Sequence, residues 1–131
     1  MYLRFVVGTI SRASGVREGI FAAAYALMRE HDLPTTDRER LQSLLTWFSQ
    51  NLDTPDRFNR TRSKGYYRRT TKGIAWFKAS SSRHIGKAYE LVELLGQHGY
   101  QVETVKSARP GYVVYEDPFQ VIAEPFRETY T

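Results

Sequence analysis

The chain has 131 residues, 41% of them apolar and 14% aromatic, which is enough core material for one folded domain and excludes a disordered or collagen-like chain. There is no cysteine, so disulfides, thiolate metal sites and cysteine nucleophiles are excluded. No apolar run approaches the roughly 18 residues that span a bilayer. The N-terminal Met-Tyr-Leu-Arg-Phe-Val-Val has no basic leader and is broken by Arg4, so no signal peptide is expected and the expected compartment is the cytoplasm.

Taken in chain order, residues 2–8 alternate Leu3, Phe5 and Val7 against Tyr2, Arg4 and Val6, the period of a strand. Ser11–Gly15 has loop composition. Residues 17–31 read as a helix with Ile20, Phe21, Ala24, Leu27 and Met28 on its apolar side. Pro34 ends the connection, Thr36 or Asp37 is the expected N-cap, and a second helix over 38–52 carries Leu41, Leu44, Leu45, Phe48 and Leu52 at helical spacing. Pro55 stops it.

Residues 73–79 read as a strand, and Ser80–Ser82 supplies N-caps for a third helix over 83–98. Its buried stripe is Ile85, Ala88, Leu91, Val92 and Leu95, and Gly99 follows as a C′ residue. A strand over 101–106 comes next, then a turn at Pro110-Gly111. Residues 112–115 and 120–123 form a hairpin, with Val113 and Tyr115 expected on one face and Tyr112 and Val114 on the other. The order is β-α-α-β-α-β-β-β in a single domain, 1–131. It predicts an α+β, two-layer fold: a mixed sheet of about five strands with three helices mainly on one face and the other face partly open. The 73–106 stretch is expected to be a βαβ unit with parallel strands and a right-handed crossover.

The formal charge is +5, and it is segregated. Between residues 57 and 72 stand seven bases (Arg57, Arg60, Arg62, Lys64, Arg68, Arg69, Lys72) and no acid. The rest of the chain holds 12 bases against 14 acids, a net of −2. Guanidinium groups bind phosphates bidentately, and a localised positive segment attracts polyanions. Tyr66 and Tyr67 lie among the charges, and aromatic rings stack on unpaired bases. The expectation is a non-enzymatic module that binds nucleic acid or another phosphate-rich ligand. A solvated loop is the plainer reading of the same residues.

A second signal is Lys78 followed by Ser80-Ser81-Ser82-Arg83-His84 at a helix start, where free amides, hydroxyls and cations suit an anion. Simple capping is the plainer account. If the chain is an enzyme acting on a phosphorylated substrate, Lys78 and Arg83 would hold the phosphate, and His84 and Glu116 are the acid/base candidates. A third reading is a protein-interaction factor, such as a phage or toxin-system component, docking on an acidic partner. No cofactor motif is present, and the scattered His31, His84 and His98 lack metal-ligand spacing.

Lys72-Gly-Ile-Ala-Trp-Phe-Lys-Ala79 resembles the RNP1 octamer of RNA-recognition domains, which implies a base-stacking role for Trp76; Ile74 and Ala79 depart from that pattern, as does the element order. Over the C-terminal half, the strings Trp76-Phe-Lys78, His84-Ile85, Pro110-Gly-Tyr-Val-Val-Tyr-Glu-Asp117 and Gln120-Val-Ile-Ala-Glu-Pro-Phe126 resemble a group of small bacterial proteins of unknown function. That resemblance implies a bacterial or phage origin and no particular chemistry.

Overall fold

The computed structural model describes residues 1–12, 15–55 and 73–131; the basic segment 57–72 lies outside the described residues. The elements are β1 (Tyr2–Ile10), β2 (Arg17–Gly19), α1 (Ile20–Met28), α2 (Thr35–Asn51), β3 (Ile74–Lys78), α3 (Ser82–Gln97), β4 (Glu103–Ser107), β5 (Tyr112–Glu116) and β6 (Gln120–Glu124). The expected α+β fold, a sheet with three helices in the expected order, is what the chain adopts, with the short β2 added.

The addition follows from the turn after β1. Ser11 N donates to Val16 O at 2.8 Å and Gly15 N to Ser11 O at 2.9 Å, so the chain reverses and residues 17–19 lie against β1. Helix α1 therefore begins at Ile20 rather than at residue 17. Helix α2 also starts differently. Pro34 is its N-cap, and its carbonyl accepts from Arg38 N. Thr36 and Asp37 thus lie in the first turn, and Asp37 reaches His98 Nε2 at 2.9 Å instead of capping its own helix.

Strand β1 organises the sheet. Its Tyr2–Val6 stretch pairs antiparallel with β4 along one edge. The opposite edge is shared: Tyr2 and Leu3 pair with Phe77 and Lys78 of β3, and from Val6 onward β2 takes over. Strands β6 and β5 continue outward from β3. Strands β3 and β4 run in the same direction, as the βαβ reading requires, but β1 lies between them, so every ladder among the described strands is antiparallel. The unit is a split βαβ.

Phe5, Val7 and Phe77 face the three helices, where they join Ala24, Leu27, Leu41, Leu91 and Leu95 in the main core. Leu94, outside the predicted stripe of α3, is fully buried too. The opposite face is not open at its centre: Val6, Ile74, Trp76, Val105 and Val121 form a second buried cluster. The β5–β6 hairpin pairs as expected, with a bulge between Val113 and Tyr115. A bulge adds one residue to one strand and breaks the alternation of faces. Tyr112 and Val113 are consequently both exposed and Val114 is buried, so the expected two-and-two division of faces does not run through the strand. Gly111 opens β5 at φ 144°, and a Cβ there would stand 2.0 Å from Glu124 O, which only glycine avoids.

Candidate functional site

Of the residues singled out from the sequence, Arg57, Arg60, Arg62, Lys64, Tyr66, Tyr67, Arg68, Arg69 and Lys72 lie outside the described residues. The others fall at three separate places.

Lys78 Nζ meets Glu116 Oε2 at 2.5 Å. The pairings Lys78↔Tyr2 and Glu116↔Val121 put both side chains on the face away from the helices. They satisfy each other and do not converge on His84.

His84 lies at the start of α3, only 5% exposed. It sits four residues before Ala88 and seven before Leu91, on the buried stripe. Its ring stacks on Phe119 with centroids 4.2 Å apart and meets Trp47 edge-on at 4.9 Å. Nε2–H donates to Asn51 O at 2.7 Å, since a carbonyl only accepts. The Ser81 hydroxyl lies 2.7 Å from Lys78 O and 2.9 Å from Phe119 O, so it ties the strand end to the β5–β6 turn and makes no cap to the helix amides. Ser82 and Arg83 flank a cavity of about 630 Å³ that also admits Asp53 and Asp117. The Arg83 guanidinium rests 5.4 Å over the Trp47 ring.

Asp117 organises the wall opposite. Its Oδ1 accepts from Phe119 N and Gln120 N at 2.8 and 3.0 Å, and its Oδ2 from Tyr115 Oη and Gln120 Nε2. Burial by itself pushes the Asp117 carboxyl up, but these donors prevail and hold it below the usual carboxylate range. Tyr115, losing solvent and facing Asp117 and Asp53, is pushed up to about 12 and keeps its proton.

The third place is the fork of the sheet. At Arg4 and Phe5 the β1 edge has left β3 and not yet met β2, and β3 diverges toward Gly73. A cavity of about 390 Å³ fills the gap. Trp76 lines it, 1% exposed, with its ring enclosed among the valines of the second cluster rather than presented to solvent. Arg4, which the alternation of β1 sets on the face opposite Leu3 and Phe5, is only 8% exposed. Its Nη1 donates to Thr131 O at 2.7 Å and its Nη2 to Arg17 O. Burial, aided by the charge of Arg17, lowers the Arg4 guanidinium to about 10. Arg17 in turn pairs with Glu103 at 2.7 Å and lies over the Tyr130 ring. No sequence signal marks this place, because it arises from three strands sharing one neighbour. Pro55 and Gly73, the described residues nearest either end of the basic segment, both line this cavity.

Among the described residues no group of three or more His, Asp or Glu is placed to hold a metal ion, and no helix is long and apolar enough to cross a membrane. No family model, curated protein or solved structure matches the chain.

Proposed function

We propose that this protein is a binding module for nucleic acid or another phosphate-rich ligand, with residues 57–72 as the element that attracts it. The observation that carries the reading is the segregation of charge: seven bases without an acid in one segment, on a body of net −2. Each phosphate neutralised releases condensed counterions, so such a segment binds strongly at low salt. The acid-free stretch is also rich in Thr, Ser and Tyr, which add hydrogen bonds to phosphate and sugar.

The enzymatic alternative needs Lys78, Arg83, His84 and Glu116 around one substrate. Lys78 and Glu116 are engaged with each other, and His84 is clamped between Phe119 and Trp47. That arrangement favours binding over catalysis. An acidic protein partner would use the same basic segment and is separated from nucleic acid by competition.

The test replaces Arg60, Arg62, Arg68 and Arg69 together by Gln. The variant should lose retention on heparin and on immobilised single-stranded DNA, with little change in melting temperature. Retention equal to that of the wild type would overturn the proposal.

A further inference from the structure

The sheet fork holds two buried donors that no described residue satisfies. Trp76 Nε1 and Arg17 Nη2 are both enclosed and both lack a hydrogen-bond partner among the described residues. Leaving a buried donor unmet costs about 1–3 kcal/mol, so native folds seldom tolerate one without a reason. Both residues line the fork cavity, together with the buried Arg4, whose own partners are the main-chain oxygens of Arg17 and Thr131.

The cavity is thus lined by the nitrogen donors of Arg4, Arg17 and Trp76, by Gln120, and by an apolar wall that includes Phe21, Ile74 and Ile122. Its volume falls within the range of about 300–1,000 Å³ usual for small-ligand sites. Two carboxylates, Glu18 and Asp53, also line it. Carboxylates repel a bare anion but accept hydrogen bonds from exocyclic amines. The combination suits a ligand with an acceptor-rich anionic end, a flat apolar body and an amine, and a nucleotide of adenine, guanine or cytosine has all three.

We infer that the cavity in the sheet fork is a subsite for one nucleotide, with its acceptors on Trp76 Nε1 and the Arg4–Arg17 pair and its base along the apolar wall. The inference rests on the nucleic-acid reading above and deepens it: the fork would take one unit of the strand that the basic segment attracts. It also gives Trp76 the role of hydrogen-bond donor, which an enclosed ring can fill, in place of stacking platform, which it cannot.

The experiment uses the full chain labelled with ¹⁵N. It has two indole Nε1–H signals, from Trp47 and Trp76, and a Trp47→Phe variant identifies which is which. Adenosine monophosphate, inorganic phosphate and a short oligoadenylate are titrated in turn at equal millimolar concentration of nucleotide or phosphate. The expected result is a shift of the Trp76 signal with the mononucleotide and the oligomer and none with phosphate. Trp76→Phe should weaken mononucleotide binding roughly fivefold, the effect of one lost hydrogen bond. An equal shift with phosphate would overturn the nucleotide assignment, because the site would then hold only an anion. Oligomer binding with an unmoved Trp76 signal would overturn the fork subsite while leaving the basic-segment reading in place. A Trp76 shift with the mononucleotide and no oligomer binding would support the subsite and overturn the basic-segment reading. No binding of any of the three would overturn both. The wild-type indole readout decides the matter even if Trp76→Phe fails to fold.

Discussion

On the helix-covered face of the sheet, Phe77 stands 6.1–6.5 Å, centroid to centroid, from Phe5, Phe21 and Phe48, and aliphatic side chains fill the rest. On the opposite face Trp76 sits in a smaller cluster flanked by Lys78–Glu116, by Arg17–Glu103 and by the buried Arg4. The first face is held by non-directional burial, which tolerates small shifts. The second depends on placed hydrogen bonds, which do not. Unmet donors gather on the second, and that is where a ligand gains most by arriving. Stability should therefore respond to volume on one face and to polar partners on the other.

The largest effect is expected on the helix face. Leu91 is fully buried in α3, which packs on both α1 and α2, and Leu91→Ala should cost about 3 kcal/mol in urea unfolding. A cost under about 1 kcal/mol would mean that the helix layer is loosely packed. Next comes Arg4→Met, which keeps much of the apolar stem but leaves Arg17 O and Thr131 O without their donor. It should cost about 2 kcal/mol. A neutral result would show that the second face does not depend on this hydrogen-bonded latch.

A smaller, pH-dependent effect belongs to Asp117. Its folded pKa is depressed, so the stability it contributes is fully present above the ordinary aspartate range of about 4 and is lost as pH falls through the depressed value. Asp117→Asn should flatten that acid limb and lower stability at neutral pH by about 1 kcal/mol, read from melts between acid and neutral buffer. An unchanged acid limb would remove Asp117 as its source. The smallest effect is expected from Lys78→Ala. Its partner Glu116 is half exposed, and such pairs contribute at most about 0.5–1 kcal/mol, less in high salt. A larger loss would mean that Lys78 does more than pair with Glu116.

Periodicity made the helix face readable. The Leu41–Phe48 spacing and the stripe from Ala88 to Leu95 both act over a few residues, and each lies in the expected element. What escaped was set by distant partners. Three residues of β2 have no period of their own and become a strand only because β1 is there to receive them. The insertion of β1 between β3 and β4 is a matter of long-range pairing, and the bulge at Val113 shows only against the register of β6. The burial of Arg4 has no local signal, because nothing nearby in the sequence shows that Thr131, 127 residues away, reaches it. The charge segregation was legible at once, since it needs no fold, whereas the fork cavity was invisible for the same reason that Arg4 was.

The central claim, that residues 57–72 engage a phosphate-rich strand, is tested most directly by the salt dependence of oligonucleotide affinity. For single strands the slope of log K against log salt is about −0.7 per phosphate contacted. The wild type should show a steep slope, and replacing Arg60, Arg62, Arg68 and Arg69 should make it shallower by about 3 while lowering affinity at every salt concentration. Identical slopes in the two proteins would contradict the account.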